Sequence, residues 1–214
     1  ILIVIVILLS LADVLILTLG SAWAYRLNQT NQIVGNCHKL PNSIFSKELL
    51  SLDEMQNGLG CSFNALFEIN PSIKIVVTVS PVRHIKDGII ENNLSKSRLI
   101  QVAHHLKDKY SEVAYFPSYE IMMDDLRDYR FYNEDMIHPS QVAIDYIWEA
   151  FKASIYAQPD IENIQKLEKF AKLFSHKVLG DIKSRANWRK NLLTRVEAME
   201  IEFPQLKFIK ERAF

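Results

Sequence analysis

The spacing of hydrophobic positions changes repeatedly along this chain, and each change predicts an element. Val14 to Leu19 is a short aliphatic run closed by Gly20-Ser21, the pattern of a central strand buried on both faces of a parallel sheet. Ser51 and Glu54 have the spacing of a capping box, and Leu52, Met55, Leu59, Phe63 and Leu66 then recur at helical intervals, predicting a helix over 52–68 that stops at Asn70-Pro71. A β-branched strand from Lys74 to Val79 ends at Ser80-Pro81. A helix follows from about Lys96 to Tyr110, with Leu99, Ile100, Ala103 and Leu106 facing inward. Val113 to Phe116 is a third strand closed by Pro117, and Gln141 to Tyr156 is a third helix carrying Val142, Tyr146, Ile147, Ala150 and Phe151 on one stripe. Between Trp23 and Asn36 a hairpin is expected, with Asn28-Gln29-Thr30-Asn31 as its polar turn.

Strands alternating with helices of these lengths predict an α/β fold. The expectation is a three-layer α/β/α sandwich with a parallel sheet, covered on both faces and binding ligands at the carboxyl ends of its strands. Beyond Gln158-Pro159 the pattern becomes two charged helical segments, 160–179 and 183–202, broken near Gly180 and ended by Pro204. The chain is therefore divided into an α/β domain over 1–157 and a helical appendage over 158–214.

The aliphatic run Ile1 to Leu9 invites a membrane reading, but Asp13 would fall near the middle of a span of about 20 residues, where a carboxylate costs a few kcal/mol. A buried element followed by the first core strand is preferred, and no membrane span is expected. The chain starts without Met inside an apolar run, so the α/β domain is expected to be incomplete at its N-terminus. No basic segment and cleavage site precede the run, which favours a cytoplasmic location without fixing one. With 214 residues, 49% of them hydrophobic, the chain can bury a core. Lys plus Arg equals Asp plus Glu at 25 each, which disfavours nucleic acid as a partner. Cys37 and Cys61 are read as free thiols.

The strongest chemical signal is Asn133-Glu134-Asp135-Met136-Ile137-His138-Pro139-Ser140, between the third strand and the third helix. An Asp three residues before a His can fold back and accept the imidazole Nδ1 proton, which fixes the tautomer and leaves Nε2 free to act as a base. The alternative is that Asp135 caps a turn and His138 merely flanks a helix.

Asp-x-x-His before the final helix resembles the signature of the SGNH (GDSL-like) hydrolases, and longer blocks resemble the GSCFA family in particular. They are Thr18-Leu19-Gly20-Ser21-Ala22-Trp23, Asn36-Cys37-His38-Lys39, the Thr78 to His84 block, Phe116-Pro117-Ser118-Tyr119-Glu120, and the Leu126 to Tyr132 block. The resemblance covers 13–156 and implies an ester hydrolase whose serine lies in a block upstream of this chain. Gly60-Cys61-Ser62-Phe63 is not that block, because it falls inside the capped helix rather than at a strand-to-helix turn. The Gly-x-Asn-Asp block of typical SGNH enzymes is also replaced by Gly20-Ser21-Ala22-Trp23.

Asp135 and His138 are thus the candidate catalytic residues. Candidate oxyanion or substrate-binding groups are the backbone at Gly20 and Ser21, the Asn36 amide, Arg83, His84 and Tyr119. Asn36 reads rather as a turn residue after Gly35, and Arg83 and His84 read equally as partners of carboxylates such as Asp87. No metal or cofactor is expected: His104 and His105 lack ligand partners at helical spacing, and no glycine-rich phosphate loop occurs. The expected partner is a small-molecule or carbohydrate ester. An acyltransferase using the same pair, or a non-catalytic carbohydrate-binding or scaffold module, are the alternatives.

Overall fold

A computed structural model describes residues 2–35, 37, 40–175 and 182–204. The chain divides into two units, Ile1–Ser154 and Ile155–Phe214. The first unit opens with helix α1 (Leu2–Leu11) and strand β1 (Val14–Leu19). A small antiparallel sheet of β2 (Trp23–Leu27), β3 (Gln32–Val34) and β4 (Phe45–Leu49) follows, and then the capped helix α2 (Leu52–Ile69). Next come β5 (Lys74–Val79), α3 (Ile89–Lys109), β6 (Val113–Phe116), the short α4 (Ser118–Glu120) running into a π turn over Ile121–Asp125, and α5 (Gln141–Ile155).

The main sheet is parallel, with order β1-β5-β6 and register Thr18↔Thr78↔Phe116. β5 is the central strand, and Ile75, Val77 and Val79 are fully buried against Phe63 and Leu66 of α2 and Leu99, Val102 and Leu106 of α3. Each such side chain contributes about 1.5–3 kcal/mol relative to exposure, so this cluster dominates the stability of the unit. On the other face Phe116 meets Phe151 of α5 edge-on, with ring centroids 5.0 Å apart.

Several expectations need correction. Among the described residues β1 is the outer strand of the sheet, with one exposed face: Val14 and Ile16 are about half exposed, while Leu15, Leu17 and Leu19 pack on the core. Over Ile5 to Leu8 the aliphatic run is not buried. In α1, Ile5, Val6, Ile7 and Leu8 are exposed, because a helix that is apolar all round can turn only one side to the core, here through Leu9. The end of α1 is tied instead by Asn70, whose Nδ2 donates to the carbonyls of Leu9 at 3.0 Å and Ala12 at 2.8 Å. α3 begins seven residues before the expected Lys96, after Gly88, whose φ of 108° lets the backbone turn into the helix. On α5 the buried stripe runs through Ala143 and Phe151, with Ile147 partly buried, whereas Val142 and Tyr146 are exposed. Strand β4 was not anticipated, since Phe45-Ser46-Lys47-Glu48-Leu49 mixes charges into a half-exposed strand.

Other local signals are realised directly. Ser51 Oγ accepts the Glu54 N–H, and Glu54 Oε2 accepts the Ser51 N–H, completing the capping box. β2 and β3 form the hairpin, with Leu27 opposite Gln32 and Asn31 at φ 58° in its turn. The second unit holds α6 (Gln158–Ser175) and α7 (Ile182–Glu202), which pack on each other through Phe170, Leu192 and Val196. Among the described residues no helix is long and apolar enough to cross a membrane.

Candidate functional site

The segment between the π turn and α5 is irregular, yet it is held by a dense set of backbone bonds. Asn133 N–H donates to the His138 carbonyl at 2.8 Å, Ser140 N–H to Phe131 O at 2.7 Å, and Tyr132 bridges Pro139. These bonds close a loop in which Met136 takes φ 60°, a left-handed conformation that costs a non-glycine residue about 1 kcal/mol or more. The reversal at Met136 brings Asp135 back onto His138. Asp135 Oδ2 lies 2.7 Å from His138 Nδ1, while Oδ1 accepts the N–H groups of Ile137 at 2.9 Å and His138 at 3.0 Å. The carboxylate therefore caps the turn with one oxygen and engages the imidazole with the other.

The His138 backbone N–H and its ring, followed by the Ile137 N–H, hold the Asp135 carboxyl down at about 2. It is ionised at any working pH. With Nδ1 facing this carboxylate as a donor, Nε2 is the nitrogen left to exchange protons, and the imidazole is open to solvent, with 56% of its side chain exposed.

Gly20, Ser21, Arg83 and His84 lie beyond the carboxyl ends of β1 and β5. Gly20 and Ser80 follow these two strands, and Lys96 of α3 donates from one Nζ to both carbonyls, at 2.8 and 2.7 Å. Lys96 is 1% exposed, and burial pulls its ammonium down to about 8. Ser95 binds the same loop, accepting the Ala22 N–H at 2.8 Å, while Ser21 Oγ accepts the Trp23 N–H at 3.1 Å. His84 reaches Gly20, since a Cβ there would lie 3.8 Å from its Nε2. Burial, and secondarily the Lys96 charge, lower the His84 pKa.

Arg83 links this edge to the Asp135–His138 loop. Its N–H donates to Ile137 O at 3.2 Å and its Nη1 to Met136 O at 3.0 Å, and its guanidinium lies 5.5 Å from the Tyr132 ring centroid. It makes no ion pair with Asp87, which is taken by Lys47 at 2.5 Å. Tyr119 stands between the two cations: its ring is 5.9 Å from Lys96 Nζ, and with Arg83 it lines a cavity of about 360 Å³. Burial raises its phenol pKa, with smaller contributions from Tyr132 and Glu120. Asn36 lies outside the described residues, as do His38 and Lys39 of the same block. Ser62 sits within α2, its Oγ donating to Gly58 O at 3.0 Å.

Sequence reasoning missed Lys96 and Tyr132. Lys96 did leave a signal, for it lies on the inward stripe of α3 with Leu99, Ala103 and Leu106, where a charge needs partners. Tyr132 left none, because its role depends on Arg83, distant in sequence.

No curated protein matches the chain. The model of the GSCFA family matches residues 5–151, well over half of the 214 residues, and the matched stretch includes every strand, Lys96, Arg83 and the Asp135–His138 pair. The chain belongs to the GSCFA family.

Proposed function

We propose that this chain supplies the Asp-His half of a serine ester hydrolase of the SGNH type, built on a three-layer α/β/α sandwich whose nucleophilic serine lies upstream of Ile1. The observation that carries this reading is the 2.7 Å contact between Asp135 Oδ2 and His138 Nδ1 on a loop tied by Arg83 to the carboxyl edge of the parallel sheet.

In this mechanism His138 Nε2 takes the proton of the serine hydroxyl as Oγ attacks the acyl carbon of the ester. The imidazolium, stabilised by Asp135, gives that proton to the departing alkoxide, leaving an acyl-enzyme. Water then attacks the acyl carbon, losing its proton to Nε2, and the serine leaves with that proton while the acid is released. Lys96 contributes by fixing the Gly20 and Ser80 strand ends. The same pair would serve an acyltransferase if an alcohol replaced water, a reading favoured only by the solvent-open position of His138.

A fluorophosphonate probe tests the proposal. The full-length protein is expected to label at an upstream serine and this chain alone to remain unlabelled. Labelling of the isolated chain at Ser21 or Ser62, or no labelling of active full-length protein, would contradict it.

A further inference from the structure

We infer that the cavity beside the Asp135–His138 loop is a binding site for a small ester whose apolar body carries one carboxylate, read by Arg83. The inference rests on the hydrolase reading for the word ester, and on the cavity alone for the carboxylate.

The cavity, about 360 Å³, is lined by Arg83, Asn92, Tyr119, Met122, Leu126 and Tyr132 among others. Its floor is apolar and fixed: Met122 and Leu126 are fully or almost fully buried, brought together where the π turn closes through Leu126 N–H to Ile121 O at 3.0 Å. A volume near the lower end of the usual range of about 300–1,000 Å³ suits a single ring or short chain rather than a long lipid or an oligosaccharide.

The cations around this cavity differ in their partners. Arg127 is paired with Asp124, and Arg130 lies 3.9 Å from Asp128, so these cations on the far segment already face carboxylates. Glu120 accepts the Tyr115 hydroxyl at 2.6 Å, and Asp135 is held by His138 and the Ile137 N–H. Arg83 faces a carbonyl through one Nη1 and a ring face through its plane, and Lys96, behind Tyr119, faces two carbonyls. Neither has a carboxylate partner among the described residues. Arg83 is therefore a cavity-lining cation that no described carboxylate faces. Arg83 retains N–H groups in a planar fork suited to a carboxylate, and it is bonded to the loop that carries His138.

The test is a titration of the full-length protein with 4-phenylbutyrate, with the neutral 4-phenylbutyramide and with phenyl phosphate, followed by calorimetry. The carboxylate is expected to bind about tenfold or more tightly than the amide, as befits a charge-assisted contact, with the preference shrinking at high salt. Arg83→Gln should abolish the preference while leaving amide binding within about twofold. The salt dependence needs no variant and stands even if Arg83→Gln does not fold. Equal affinity for acid and amide, a preference that survives in folded Arg83→Gln, or tighter binding of the phosphate would each overturn the assignment. With ester turnover measured separately from binding, an inactive protein that prefers the carboxylate would refute the hydrolase and keep the site. An active esterase with no preference would do the reverse.

Discussion

Asp135 grips His138 twice, with Oδ2 2.7 Å from Nδ1 of the ring and Oδ1 accepting the backbone N–H at 3.0 Å. The two contacts can be separated by mutation. In Asp135→Asn the amide oxygen can still cap the turn, but its NH₂ cannot accept the Nδ1 proton, so the wrong tautomer is favoured. The variant is expected to melt close to wild type and to lose about 10³–10⁴-fold in kcat, read from ester turnover alongside a thermal melt. Asp135→Ala should lose the same activity and also melt at a lower temperature than Asp135→Asn, because the Ile137 and His138 N–H groups lose their acceptor.

The pH dependence of that grip has a definite sign. The folded Asp135 pKa is lowered from 3.8 to about 2, so its stabilising effect is complete above the unfolded value and is lost as pH falls through the folded one. Carboxyl resonances followed by NMR should show Asp135 titrating well below the other aspartates. A midpoint near the ordinary value would mean that the bonds to Ile137 and His138 do not persist in solution.

Lys96 works in the opposite pH range. Its folded pKa of about 8 lies below the ordinary lysine value of 10.5, so the burial cost is fully present below pH 8 and is relieved as pH rises towards the unfolded value. Denaturant midpoints should show wild type gaining on Lys96→Met over this window by up to about 3 kcal/mol. At neutral pH the variant leaves the carbonyls of Gly20 and Ser80 without their donor, and it should lower kcat through a loosened strand edge, an effect that Lys96→Arg does not fully restore. A stability difference that is flat with pH would contradict a buried, desolvated ammonium.

Ser51→Ala provides a control far from the chemistry. It removes one half of the capping box of α2 and should cost about 1 kcal/mol of stability with unchanged ester turnover.

What was readable in the sequence was what depends on near neighbours. Ser51 and Glu54, the turn of the β2–β3 hairpin, and Asp135 with His138 all interact across three or four residues, where spacing alone dictates who can meet. The contacts that assemble the edge do not: Lys96 reaches Gly20 across 76 positions, and Arg83 reaches Met136 across 53. Strand character was likewise visible in Val14 to Leu19, but its place as the outer strand among the described residues was not, because an aliphatic run reads the same whether one face or both are covered. The early start of α3 was hidden by Gly88, which begins the helix by its positive φ instead of by a capping side chain.

The most direct test of the central claim is kcat/KM of purified full-length protein and its His138→Ala variant on p-nitrophenyl acetate, with folding checked by circular dichroism. Removing the general base should reduce the rate constant by about 10³-fold or more, leaving only residual catalysis from binding and oxyanion stabilisation. A folded His138→Ala enzyme that cleaves the ester at near wild-type rate would contradict the Asp135–His138 assignment and the serine-hydrolase mechanism built on it.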